Sequence, residues 1–122
     1  MSQRRLYRVS EVASGRAVAE RIRIANTHWT RLRGLIGTRG LAADEGLWIV
    51  PCRQVHMFWM RYPIDVAFLD DELQVVGVQA DLRPWRISSA FPAARSVVEL
   101  ASGALAAHGI GVGARLAIEP HA

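Results

Sequence analysis

Isoleucine and arginine alternate through Arg21-Ile22-Arg23-Ile24. Two apolar residues fall on one face and two cations on the other, the period of a half-buried strand. This pattern closes a strand running over 16–25. Leu6 to Val9 supplies its partner, with Ser14-Gly15 as the turn. The period then changes. Trp29, Leu32, Leu35 and Ile36 recur at helical spacing with Arg31 and Arg33 between them, which predicts a helix over 27–36 with its apolar stripe inward. Asn26 or Thr27 offers the N-cap and Gly37 the left-handed stop, while Gly34 is a weak interior position.

From Gly46 onward the pattern is that of strands. Leu47-Trp48-Ile49-Val50 is a short apolar run stopped by Pro51. Two longer runs, 64–69 and 73–78, flank Asp70-Asp71-Glu72 and read as a hairpin. Trp85-Arg86-Ile87 adds a further strand, Ser96-Val97-Val98-Glu99-Leu100 another, and Ala114 to Ile118 the last. Ala101 to His108 forms a short helix stopped by Gly109. The expected fold is mainly β: a small antiparallel sandwich or partly closed barrel with two short helices, near 27–36 and 102–108. Helices are too sparse for a doubly wound parallel sheet.

At 122 residues, 51% hydrophobic and 21% charged, the chain suits one globular domain, 1–122, with a core of its own. There is no internal repeat, low-complexity tract or linker. Cys52 is the single cysteine, so no internal disulfide can form, and a reducing, cytoplasmic setting is expected. No segment approaches the ~20 apolar residues of a membrane helix, and the basic start has no apolar run behind it, so neither membrane nor secretory signal is expected. All 15 basic residues are arginine. Nine of them lie in residues 1 to 39 against two acids, Glu11 and Glu20. A basic third of this kind faces either solvent or an anionic partner. No recognised nucleic-acid motif accompanies it, so nucleic acid is not the expected partner.

The chemistry concentrates in residues 55–70. His56, Arg61 and Asp65 stand among Met57, Phe58, Trp59 and Met60, ahead of a strand-like run. Apolar walls with a few converging polar groups are what a small-molecule pocket needs. If Pro63 turns the chain, Asp65 returns toward His56 or Arg61 and orients one of them. The structural alternative is an internal Arg61–Asp65 bridge that fixes the loop, with His56 donating to a backbone carbonyl. Cys52, His56 and Met60 also lie at four-residue steps, and thiolate, imidazole and thioether are soft copper ligands. Such a site needs another histidine, and Phe58, Trp59 and Arg61 would crowd it, so no metal and no cofactor are expected. Cys52 with His56 offers a nucleophile pair, with neighbouring Arg53 favouring the thiolate, but no third orienting group is evident. Burial as a small side chain is the favoured alternative. Of the four tryptophans, Trp59 and Trp85 sit in loop-like context and are expected to line a surface groove, whereas Trp29 and Trp48 are expected in the core.

From Ile24 to Glu119 the chain resembles the bacterial and archaeal domain of unknown function 192 family. Four stretches carry the resemblance: Ala25-Asn26-Thr27 leading to Arg33-Gly34-Leu35-Ile36-Gly37; Gly46-Leu47-Trp48-Ile49-Val50; Val55 to Asp70, the most specific; and Val98-Glu99-Leu100-Ala101-Ser102-Gly103 continuing to Gly109-Ile110 and Gly113. The resemblance implies a compact, mainly β domain with small helices and no assigned reaction. Two positions depart from the family pattern: Ile36 stands where methionine is usual, and Gly113-Ala114 stands for Gly-Asp.

The expected function is binding of a small anionic or polar ligand in an aromatic-walled pocket lined by His56, Met57, Trp59, Met60, Arg61 and Asp65. There Arg61 anchors an anionic group and the rings exclude water. Two alternatives stay open. One is a hydrolase-like enzyme using His56 with Asp65 or with Cys52. The other is an interaction module that uses the N-terminal arginines. Oligomeric state is not legible in the sequence.

Overall fold

The structure, a computed structural model, describes residues 5–121. Of the basic opening, residues 1–4 lie outside the described part. Strands β1 (Tyr7–Glu11) and β2 (Ala17–Ala25) come first, then α1 (His28–Arg33) and β3 (Glu45–Ile49). β4 (Ile64–Leu69) and β5 (Val75–Leu82) form the acidic-turn hairpin. β6 (Ser96–Ala101), α2 (Ala104–Ala107) and β7 (Leu116–Pro120) complete the chain. All seven strands join one sheet in the order β5-β4-β6-β3-β2-β1-β7.

The sheet curls into a half-barrel. At one end its two edges meet: Gln74, just before β5, bridges Arg115, just before β7. Val75 N–H donates to Ala114 O at 2.8 Å and Leu116 N–H to Leu73 O at 2.9 Å. Partial closure protects part of both edges from pairing with another chain. The fold is therefore the partly closed barrel rather than the sandwich. It departs from the antiparallel expectation at one pair, since β2 and β3 run parallel. The long crossover through α1 makes that direction possible, because parallel neighbours cannot be joined by a tight turn.

Both faces of the sheet are covered. The inner cluster joins Val9, Val18, Ile22, Ala67, Leu69, Val98 and Leu100 to Leu105 of α2. The outer cluster joins Leu47, Ile49, Val66, Phe68 and Val97 to Val55, Met57 and Met60 of the connecting segments. β4 lies between the two and is buried at every position, which explains its near-continuous apolar sequence. Ile22 is wholly buried, as the alternation predicts, while Arg21 and Arg23 are exposed. Truncation by Ile22→Ala is expected to cost about 3 kcal/mol, from lost burial and an incompletely closed cavity. Equilibrium denaturation measures this, and an unchanged midpoint would contradict the packing.

The first helix differs from expectation. Thr27 caps it, accepting from Thr30 N–H at 3.1 Å while Thr27 N–H donates to the Thr30 hydroxyl at 3.0 Å. The helix ends at Gly34, whose φ of 53° turns the chain three residues earlier than Gly37. Leu35 thus leaves the helical register and enters the outer cluster. Trp29 is left 76% exposed, and Leu32 is exposed beside it. No residue of α1 is buried. The expectation of a core Trp29 is corrected by this early stop. Trp48 is half-buried and meets Tyr7 edge-to-face at 5.8 Å. The expected strand at 85–87 shrinks to a single bridge, His56 to Ile87, because Trp85 has a φ of 69° and cannot continue an extended run.

Candidate functional site

The segments 55–60 and 85–88 zip together over the outer face. Met57 N–H donates to Arg86 O at 2.7 Å, Trp85 N–H to Met57 O at 2.8 Å and Ser88 N–H to Val55 O at 2.8 Å. The buried Ser88 hydroxyl accepts from Val55 N–H at 2.9 Å. Met57 and Met60 point into the outer core and anchor the first segment. The residues between them are thrown outward. His56 stacks on Phe58 at 4.9 Å, Phe58 lies 6.0 Å from Trp85, and Trp85 meets Trp59 edge-to-face at 4.9 Å. Trp59 is 67% and Trp85 56% exposed, with Ile87 alongside.

These rings form a continuous aromatic ledge. Both tryptophans hold φ at 69°, a left-handed conformation that costs a bulky residue about 1–2 kcal/mol. Exposed indoles on strained backbone are expensive for folding alone, which marks the ledge as a candidate for recognition. A groove of about 340 Å³ runs beside it, lined by Gln79 to Arg83, Arg86 and Ile87. Arg83 is neutralised by Asp81 at 3.0 Å. Arg61 and Arg86 are exposed and form no ion pair among the described residues.

The expected site residues therefore separate. His56 and Trp59 share the ledge with Phe58 and Trp85. Met57 and Met60 support it from beneath. Asp65 is elsewhere. It is 0% exposed in β4 and meets neither His56 nor Arg61. Its Oδ1 accepts from Asp81 N–H at 2.9 Å, and its Oδ2 accepts from Gly103 N–H at 3.1 Å and Leu105 N–H at 2.9 Å. The expected convergence fails because His56 and Arg61 project outward to solvent, whereas strand alternation places Asp65 on the side of α2. The Arg61–Asp65 bridge is absent for the same reason.

Asp65 nevertheless shapes the groove. Between the pairs Ile64–Leu82 and Val66–Gln79, both Ala80 and Asp81 stand against Asp65 alone. This bulge, with Asp81 at φ 52°, aims the Asp81 N–H at the carboxylate. The Asp81 side chain then accepts from Ser102 at 2.9 Å and pairs with Arg83. One buried carboxylate thus ties the groove wall to the start of α2. It also caps that helix, whose N-cap Gly103 has no side chain to do so.

Cys52 does not pair with His56. Its thiol donates to Gln54 O at 3.2 Å. Burial pushes the thiol up from its ordinary value, outweighing nearby Arg31, so a thiolate favoured by a neighbouring arginine is not what forms here. Among the described residues no group of three or more His, Cys, Asp or Glu side chains is placed to hold a metal ion. Of the N-terminal arginines, Arg21 is engaged by Asp44 at 2.8 Å and Glu45 at 3.4 Å. Among the described residues no helix is long and apolar enough to cross a membrane.

One residue of chemical interest escaped the sequence argument. Glu99, in the middle of β6, is 5% exposed, and its side chain makes no hydrogen bond or ion pair among the described residues. Its neighbours across the sheet are Leu47 and Val66. Burial alone pushes its carboxyl up to about 7. The sequence signal was available: a lone acid inside Val97-Val98-Glu99-Leu100.

Residues 9–118 match the model of the domain of unknown function 192 family, described as an uncharacterised ACR family. A UPF0127 protein of Thermococcus sibiricus is 32% identical over 96 residues, covering 75% of this chain and 61% of the relative. A UPF0127 protein of Pyrococcus abyssi is 51% identical over 45 residues, 37% of this chain and 38% of the relative. The chain thus spans less than two thirds of the length of either relative. Two crystal structures share the fold. A protein of unknown function from Novosphingobium aromaticivorans has a TM-score of 0.78 at 24% identity, covering 91% of this chain and 82% of that one. A Sinorhizobium meliloti protein proposed to be a transcription regulator has a TM-score of 0.81 at 22% identity, covering 94% and 93%.

Proposed function

This chain belongs to the domain of unknown function 192 family, and we propose that it serves as a binding domain whose aromatic ledge receives a small, ring-bearing anionic ligand of the sugar-phosphate class. The observation that carries the reading is the pair Trp59 and Trp85, exposed, in mutual contact and held on left-handed backbone. Indole faces stack on the apolar face of a ring, and the adjoining groove has room for a monosaccharide-sized group. Arg86 and Arg61, with no acid to neutralise them, offer charge to a phosphate. His56 stacked on Phe58 extends the platform.

Titration of tryptophan fluorescence with hexose phosphates, and with the neutral hexoses as controls, tests this reading. Trp85→Ala and Trp59→Ala are each expected to weaken binding about ten-fold or more, equivalent to roughly 1.4 kcal/mol. Arg86→Ala should weaken the phosphate forms and leave the neutral sugars unaffected. Binding that survives loss of both indoles would refute the ledge as the site.

A further inference from the structure

Glu99 occupies a polar niche on the outer face of the sheet, on the same side as Leu47, Val66 and Val97. Half-buried polar side chains lie within reach of its charge. The Tyr62 hydroxyl lies 2.6 Å from the Thr38 hydroxyl, which also donates to Leu35 O at 2.6 Å. Cys52 and Tyr62 both pack against the outer apolar cluster. Burial raises both the Cys52 thiol and the Tyr62 hydroxyl, and the Glu99 charge adds to each in the same direction. Arg31 stands at the rim of the niche, donating to Pro51 O at 3.3 Å, and Glu45 acts on Tyr62 from β3. On the backbone side there is no slack: a Cβ on Gly46 would collide with Glu99 O and Ile22.

A carboxyl this buried is ordinarily hydrogen-bonded or paired. None of the neighbouring polar groups is hydrogen-bonded to it: Cys52 donates to Gln54, Thr38 to Leu35, Tyr62 to Thr38, and Arg31 gives one of its five N–H groups to Pro51. Structural buried acids in this same molecule look different, for Asp65 has three backbone N–H donors. We propose that the Glu99 niche is a second binding site, in which the carboxylate receives the N–H groups of a small monocation, an ammonium or amidinium. The apolar flanks of Leu47 and Val66 suit the short carbon body of such a cation. The site is independent of the aromatic ledge.

Because the cation pairs with the ionised form, binding must compete with the proton that burial retains at Glu99 up to about pH 7. Acetamidinium is the probe and acetamide, nearly isosteric and neutral, is its control, both followed by NMR of the full chain. Acetamidinium is expected to give saturable shifts of the Glu99 carboxyl carbon and of amides around Cys52 and Tyr62. Its affinity should rise about ten-fold from pH 6 to pH 8, as the ionised fraction rises from roughly one tenth to nine tenths. Glu99→Gln should abolish these shifts while preserving the remaining spectrum. If that variant does not fold, wild type at pH 5, with Glu99 protonated, provides the same comparison. Equal response to acetamide, affinity independent of pH, or binding retained without the carboxylate would each overturn the site. So would no saturable shift at all.

Discussion

Asp65→Ala is expected to remove about 5 kcal/mol of folding stability, enough to unfold a domain of ordinary stability. The variant strands three backbone N–H groups, those of Asp81, Gly103 and Leu105. The Leu105 N–H is buried and the other two are partly buried; an orphaned donor costs about 1–3 kcal/mol, most where water cannot reach it, and the charged hydrogen bonds themselves are lost as well. The loss spans the β5 bulge and the cap of α2 together, so the two should fail cooperatively. Asp65→Asn is the milder test. Its amide oxygen can serve Gly103 and Leu105, but its NH2 then faces the Asp81 N–H, donor against donor, and the negative charge is gone. A loss of about 3 kcal/mol is expected. Denaturant melts and hydrogen exchange at those three amides measure both variants. Stability within error of wild type would mean that the carboxylate is not the tie described.

The second large effect concerns pH. Glu99 in the folded protein ionises near 7, against 4.5 for an ordinary glutamate. The native state therefore holds a proton that the unfolded state has already released. Stability from this group is complete below about pH 4.5 and is lost as pH rises through about 7. The shift corresponds to about 3 kcal/mol across that window. Glu99→Gln, which cannot ionise, should abolish the decline and be the more stable protein at pH 8. Parallel melts at pH 5 and pH 8 decide the matter. A wild type whose stability relative to Glu99→Gln does not change with pH would show that the carboxyl is not buried and unpaired.

Much of the architecture is legible locally. The alternation in β2, the acidic turn between β4 and β5 and the Thr27 cap all depend on residues within a few positions of one another. Such short-range signals survive tertiary context. The failures are equally physical. The partners of Asp65 lie 16, 38 and 40 residues away. Nothing in the spacing of His56, Arg61 and Asp65 reveals that strand alternation sends Asp65 to the opposite side from its neighbours. Helical spacing places Trp29 and Leu35 on one stripe, but Gly34 breaks the register between them. The loop-like context of Trp59 and Trp85 points to the surface, and both are exposed. Their mutual contact, across 25 intervening residues, has no local signal. Glu99 stood in plain sight as an acid within a β-branched run. Its missing partner is a property of three dimensions only.

The most direct test of the ledge as a recognition surface is an NMR titration of the indole N–H signals with a hexose phosphate. Four tryptophans give four resolvable probes. Trp59 and Trp85 should shift together along one saturation curve, while Trp48, half-buried on the inner face against Tyr7, stays in place. Saturable shifts at Trp48 or Trp29 with none at Trp59 and Trp85 would contradict the account.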